Sequence, residues 1–197
     1  MRECHQSYQD YLSKSALRAN IGQKRKKIES SIALIKSERI CKDLLDHIFP
    51  QRNNVKNIAL YSPVNGEVNI KCIDYELRRL NKHIFYPKIV SNTMKFVETK
   101  SISDLAPGSF GIEEPMSSKF VDSPSIDIFI VPALAIDSLG HRLGYGKGFY
   151  DKELQNIPAD RIYSTIFDFQ FLNYPFGESH DIKINKVFTE RRFLRIN

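Results

Sequence analysis

A chain of 197 residues, 42% hydrophobic and 26% charged, can bury a core of its own and has an ordinary globular composition, which excludes a disordered or fibrous protein. No apolar run reaches the length of a membrane span and the start, Met1-Arg2-Glu3-Cys4-His5-Gln6, lacks a signal-peptide core, so a cytoplasmic protein without membrane contact is expected. Cys4, Cys41 and Cys72 form no C-x-x-C pair, and the net charge of +6 is concentrated only at Lys24-Arg25-Lys26-Lys27, so zinc, disulfides and nucleic acid are not expected.

The N-terminal part, about 8–49, reads as helical. Ser13-Lys14-Ser15 opens a first helix with Leu12, Ala16 and Ala19 at helical spacing, and the basic run Lys24–Lys27 reads as its solvated face. A second helix, from about Ser31 to Phe49, carries Ile32, Ile35, Ile40, Leu44, Leu45 and Ile48 and ends at Pro50. The period then changes. Strands are expected at Val55–Tyr61, His83–Tyr86 and Met94–Val97, with a helix at Ile70–Leu80 between the first two. Pro107–Pro115 holds two Pro and two Gly and reads as loop. Ile126-Asp127-Ile128-Phe129-Ile130-Val131 is strongly apolar and reads as a central strand, followed by a glycine-rich loop and a helix at about Gly148–Gln155. Arg161–Phe167, Ile182–Phe188 and Arg192–Ile196 complete the strands.

Strands alternating with helices predict an α/β fold. This is a three-layer sandwich with a largely parallel central sheet flanked by helices, in one domain over 1–197 whose α/β body spans about 55–197. Ligands of such sheets bind beyond the carboxyl ends of strands, where the loops Tyr61–Val68 and Ala135–Phe149 fall.

The loop Gly140-His141-Arg142-Leu143-Gly144-Tyr145-Gly146-Lys147-Gly148-Phe149-Tyr150-Asp151 carries four of the nine glycines of the chain. Glycine allows φ > 0 and close approach to main-chain N–H groups, which together make an anion-binding concavity. Arg142 and Lys147 add cations and Asp151 a carboxylate, the needs of a nucleoside triphosphate with Mg²⁺. The loop is neither a Walker A sequence, because His141 stands where the first Gly belongs, nor a dinucleotide fingerprint, because Phe149 replaces the last Gly. Asp137 reads as a turn residue before Gly140, and His141 as solvated.

Arg142–Asp151 resembles the nucleotide loop of the 5-formyltetrahydrofolate cyclo-ligase (methenyltetrahydrofolate synthetase) family. Lys14-Ser15-Ala16-Leu17-Arg18 resembles that family's N-terminal basic motif. Tyr61-Ser62-Pro63-Val64-Asn65-Gly66-Glu67-Val68 resembles its glutamate-bearing folate loop, and Phe110-Gly111-Ile112-Glu113-Glu114-Pro115 its segment near the pterin. The resemblance implies ATP-dependent cyclisation of 5-formyltetrahydrofolate to 5,10-methenyltetrahydrofolate, with these two small molecules as substrates and Mg²⁺; a monomer is expected. It implies ATP contacts from Lys14, Arg18, Arg142, Leu143, Gly144, Tyr145, Gly146, Lys147, Gly148, Phe149 and Tyr150. Among these Lys147, Arg142 and Tyr150 are the catalytic candidates, while Ser62, Glu67 and Phe110 would contact folate. Asp151 would hold Mg²⁺ beside Asn185, which stands in Ile184–Glu190 where the family has an aspartate; an amide oxygen ligates Mg²⁺ without charge.

Read as residues alone, these positions admit plainer roles. Glu67 is also a surface carboxylate, Lys14 and Arg18 a solvated pair one helical turn apart, and Phe110 and the tyrosines packing groups. Two other functions stay open at this point: an α/β enzyme acting on sugar phosphates or CoA esters, and a non-catalytic folate- or nucleic-acid-binding module.

Overall fold

A computed structural model describes residues 13–48, 55–178 and 181–196. Leu12, Cys4 and the helix stop at Pro50 lie outside the described residues. Helix α1 (Lys14–Lys26) is capped by the Ser13 side chain, which accepts from the Ala16 N–H. Its buried residues are Leu17, Ile21 and Arg25, one stripe at a spacing of four. The basic run is therefore not wholly a solvated face, because Arg25 continues the apolar stripe inward.

In α2 (Ser30–Ile48) the inward stripe runs through Ala33, Ser37, Ile40, Cys41, Leu44 and Leu45. Ile32 and Ile35 lie off that stripe and are 46% and 66% exposed, contrary to the expected apolar face. β1 (Asn57–Ala59) is followed by α3 (Lys71–Arg79). β2 (His83–Val90) and β3 (Thr93–Thr99) run longer than expected. Ser91 and Asn92 both take positive φ, 47° and 62°, and make a tight turn that lets the two strands pair from end to end.

The segment expected as loop holds a small hairpin, β4 (Leu105–Pro107) with β5 (Glu113–Pro115), and β6 (Phe120–Val121) follows. β7 (Ile128–Pro132) is central as expected. The glycine loop is itself hairpin-borne: β8 (Ala135–Ile136) pairs with β9 (Arg142–Leu143) before a short α4 (Phe149–Glu153). β10 (Ile162–Thr165), β11 (Lys186–Phe188) and β12 (Phe193–Arg195) complete the chain.

The described strands form an eight-stranded sheet in the order β12-β11-β10-β7-β1-β2-β3-β6, parallel from β11 to β2 and antiparallel at both edges. Alternate residues feed two cores. Ile58, Ile84, Ile128, Ile130 and Phe188 face α2 and α3. Ala59, Phe85, Phe129, Val131 and Val187 face the side of α4. A strand buried on both faces must be apolar at every position, which is why 128–131 read so clearly. A third cluster packs Leu17 and Ile21 of α1 on Leu134, Ala135 and Leu143, and so fixes α1 to the glycine hairpin. Among the described residues no helix is long and apolar enough to cross a membrane.

Candidate functional site

Beyond the carboxyl ends of β1 and β7 lies a cleft of about 290 Å³. Its walls come from three of the segments singled out in the sequence: Tyr61–Glu67, Phe110–Glu114 and Arg142–Tyr150. Pro87, Ile89, Met94, Pro132, Ala133 and Leu134 make the rest apolar.

The first wall is shaped by a tight turn. Asn65 and Gly66 take φ of 50° and 74°, and the Glu67 N–H donates to the Val64 carbonyl at 3.0 Å. The turn directs Glu67 inward, where it is 8% exposed. One carboxylate oxygen, Oε2, accepts from the Val64 N–H at 3.0 Å; the other, Oε1, is buried with no partner. Burial pushes the carboxyl up from its ordinary range; the Val64 N–H, Arg25, Tyr145 and Arg142 pull against it. Ser62 lines the cleft as well. Its hydroxyl donates to the Glu113 carbonyl at 2.7 Å and ties this wall to the second.

The second wall carries Phe110, 63% exposed, with φ 58°, a strained conformation for a bulky residue. Glu114 holds the strained turn: its Oε1 accepts from the Ser109 N–H at 3.2 Å, and a Cβ on Gly108 would meet its side chain at 2.6 Å. The Phe110 ring lies 6.1 Å from that of Phe149 and 5.7 Å from Lys147 Nζ. Phe110 is thus presented, not packed away.

The third wall is the glycine hairpin, knotted at its turn by Asp137. Fully buried, Asp137 accepts from the N–H groups of Leu139, His141, Phe176 and Gly177 and pairs with His141 Nδ1 at 3.0 Å. Burial opposes its ionisation, but these donors hold it below its ordinary range. His141 is consequently 8% exposed, not solvated as the sequence suggested. Gly146 and Gly148 take φ of 95° and 66°, which admits few other residues, and Gly148 caps α4. Leu143 is buried, its side chain packed with Leu17 and Ile21 of α1.

Arg142 is 6% exposed and reaches back from the loop. Its Nη2 meets Asp151 Oδ2 at 3.1 Å, Nη1 donates to the Pro132 carbonyl at 3.2 Å, and its guanidinium lies 5.1 Å over the Tyr150 ring. Nε of Arg142 and Oδ1 of Asp151 are buried without partners. Burial, with the Glu67 charge, pushes the Tyr150 hydroxyl well above its usual range, so it stays protonated as a donor. Lys147 is exposed at the cleft mouth.

The N-terminal pair divides. Arg18 Nε donates to the Gly144 carbonyl at 2.8 Å and its guanidinium lies beside Gly146, so α1 reaches the loop. Lys14 is engaged elsewhere, with Asp181 at 2.7 Å and Glu178 at 3.2 Å. Asn185 stands just before β11, its main-chain carbonyl accepting from the Ile196 N–H, and neither it nor Asp151 is among the cleft walls. Among the described residues no group of three or more His, Cys, Asp or Glu could hold a metal ion. Asp151 still offers one free, buried oxygen, which suits one ligand position of a cation held chiefly by another molecule.

Arg25 was not foreseen. It is 3% exposed, Nε donates to the Asn65 carbonyl at 2.9 Å, Nη2 donates to the Tyr145 hydroxyl, and Nη1 is buried without a partner. The signal was present as the spacing Leu17, Ile21, Arg25.

Over residues 10–190 the chain matches the family described as the 5-formyltetrahydrofolate cyclo-ligase family. It is 27% identical over 179 residues to the 5-formyltetrahydrofolate cyclo-ligase of Mycoplasma pneumoniae, covering 88% of this chain and 99% of that one. It is 32% identical over 154 residues to a probable 5-formyltetrahydrofolate cyclo-ligase of Schizosaccharomyces pombe, covering 75% and 74%. The solved 5,10-methenyltetrahydrofolate synthetase of Aquifex aeolicus superposes with a TM-score of 0.82 at 29% identity over 93% of both chains.

Proposed function

The chain belongs to the 5-formyltetrahydrofolate cyclo-ligase family, and we propose that the cleft between these three loops is where it converts 5-formyltetrahydrofolate and ATP to 5,10-methenyltetrahydrofolate, ADP and phosphate. One observation carries the assignment of the site. Among the described residues four buried side-chain atoms lack partners: Glu67 Oε1 and Arg142 Nε in the cleft wall, Asp151 Oδ1 on the residue paired with Arg142, and Arg25 Nη1 behind the wall. Buried polar atoms are normally paired, so a set left open in one place is a set awaiting a ligand.

The chemistry needs little more. A formamide oxygen leaves poorly. Transfer of the γ-phosphoryl group of ATP to the formyl oxygen makes it a phosphate leaving group; N10 then attacks the formyl carbon, loses its proton, and the C–O bond breaks. No protein nucleophile takes part, and catalysis is positioning and charge neutralisation. Glu67 Oε1 accepts from the pterin's N–H donors, and the apolar walls with Phe110 hold its flat ring, for which a sugar phosphate has no use. Gly144, Gly146 and Gly148 bring main-chain N–H groups to the phosphates. Lys147 faces the charge that develops on the transferring group, and Arg142, held by Asp151 and Tyr150, offers its open Nε. Arg18 steadies the loop through Gly144. Mg²⁺ would arrive with ATP, neutralising phosphate charge, with Asp151 Oδ1 its protein ligand and Asn185 at most an uncharged one. The test is spectroscopic, because the methenyl product has its own chromophore. It should appear only when 5-formyltetrahydrofolate, ATP and Mg²⁺ are all present; product without ATP overturns the reading.

A further inference from the structure

Arg25 stands behind the cleft, not in its wall, and yet touches two of the three loops that build it. Its Nε holds the Asn65 carbonyl in the turn that aims Glu67, and its Nη2 holds the Tyr145 hydroxyl in the glycine loop, with the guanidinium 5.7 Å over the Tyr145 ring. Gly66 lies on the stem of the same side chain, where a Cβ would meet Arg25 Cγ at 3.6 Å. A cation 3% exposed, with one nitrogen unpaired, is costly to bury, and nothing in the packing of α1 requires it at that position. A leucine would extend the Leu17–Ile21 stripe more cheaply. The charge has a counterpart in the Glu67 carboxylate, also buried and with its own open oxygen, on which Arg25 acts through space without a hydrogen bond between them.

We propose that Arg25 is a positioning residue of the folate site: it locks the Glu67 turn to the glycine loop through one guanidinium fork and keeps the Glu67 carboxylate charged for the incoming pterin. A lysine has one point of attachment and could not span both loops; the planar fork can. The charged and titratable groups that bear on Glu67 are Arg25 from α1, Arg142, Tyr145 and Tyr150 from the glycine loop and its helix, and Tyr61 at the end of β1. Burial drives the carboxyl toward its neutral form, and of the two cations Arg25 is the stronger opponent of that drift. The inference rests on Glu67 being the folate carboxylate, but the link between Arg25 and Glu67 can be measured without any substrate.

The experiment is a ¹³C NMR titration of protein labelled at glutamate, the Glu67 signal being the one absent from Glu67→Gln, with calorimetric binding of 5-formyltetrahydrofolate and of ATP alongside. Arg25→Gln should move the Glu67 titration to higher pH and weaken folate roughly tenfold at neutral pH, the scale of one charge-assisted contact, with a smaller loss for ATP, whose loop loses only the Tyr145 tether. Added to Glu67→Gln, the same substitution should cost no further folate affinity. Arg25→Lys should leave the Glu67 titration near that of the parent while still weakening folate, because the charge remains and the fork is lost. An unmoved Glu67 titration in Arg25→Gln, or equal folate losses with and without Glu67, overturns the proposal. If Arg25→Gln does not fold, Arg25→Lys decides alone, and parental folate affinity in it overturns the proposal. A protein that forms no methenyl product sinks the functional reading instead and leaves the titration result standing.

Discussion

Replacing Glu67 by glutamine tests the site in two independent currencies, binding and stability. The change is isosteric: the amide oxygen can still accept from the Val64 N–H, while an NH₂ group takes the place of the unpartnered Oε1. Folate should lose a charge-assisted acceptor worth about 1.5–3 kcal/mol, a tenfold to hundredfold rise in its Kd, and ATP affinity should be nearly intact. Stability should move the other way. Because burial raises the folded-state carboxyl above its ordinary range, the ionised form is disfavoured in the folded protein. Below the unfolded-state value both states are protonated and no penalty exists; the penalty develops as pH rises through that value and is complete above the folded one. Glu67→Gln is neutral throughout, so it should unfold at a higher temperature than the parent at neutral pH, and the difference should vanish in acid. Calorimetric binding of each ligand and thermal unfolding against pH make the comparison. Equal losses of folate and ATP, or a stability difference that does not change with pH, would refute the placement of Glu67 as a buried, ligand-facing carboxylate.

Lys147→Ala should lower turnover by a factor on the order of a hundred at saturating ATP, as for loss of one aimed donor, with unfolding free energy changed by no more than about 0.5 kcal/mol, since the side chain is exposed. An unchanged rate makes Lys147 a solvated residue. Asp151→Asn should raise the Mg²⁺ concentration needed for half-maximal rate several-fold, because the open oxygen loses its charge; a Mg²⁺ dependence like the parent's would move the ligand elsewhere. Asp137→Ala should destabilise by on the order of 3–5 kcal/mol in denaturant unfolding, because it strands buried N–H groups from the hairpin and from Phe176 and Gly177. A small loss would show that water replaces the carboxylate.

The sheet was legible because strands buried on both faces cannot hide: Ile128 to Val131 alternate between two cores and so are apolar without a break. The glycine loop was legible because its conformation excludes side chains at Gly146 and Gly148, and conformation of that kind is written in residue type. What stayed dark depends on partners distant in sequence. Nothing local says that Asp137 gathers the N–H groups of Phe176 and Gly177, or that His141 is sealed in as a result. The Phe110 segment read as plain loop because its conformation is imposed from Glu114 and Ser62, not chosen by Phe110 itself. The Ser91-Asn92 and Asn65-Gly66 turns lie between: their residue types permit positive φ, but only the pairing around them makes it required.

Lys14 and Arg18 show why sharing a helix face does not mean sharing a task. A turn apart on α1, one meets Asp181 and Glu178 and the other the Gly144 carbonyl, because α1 is pinned to the glycine hairpin by Leu17 and Ile21 and its first turn passes another segment. The same pinning brings Arg25 to the back of the cleft. Height along α1 therefore assigns three cations three neighbourhoods, and composition, which counts them together, assigns none. The charge of the site follows from this distribution. Its open atoms are two guanidinium nitrogens and two carboxylate oxygens, so the described side chains await donors as well as acceptors. A pure phosphate trap would leave only donors open. A folate with N–H groups for Glu67, phosphates for Arg142, and a cation for Asp151 would complete three of the four. The fourth, Arg25 Nη1, is buried behind the cleft and acts on the ligand through Glu67 alone.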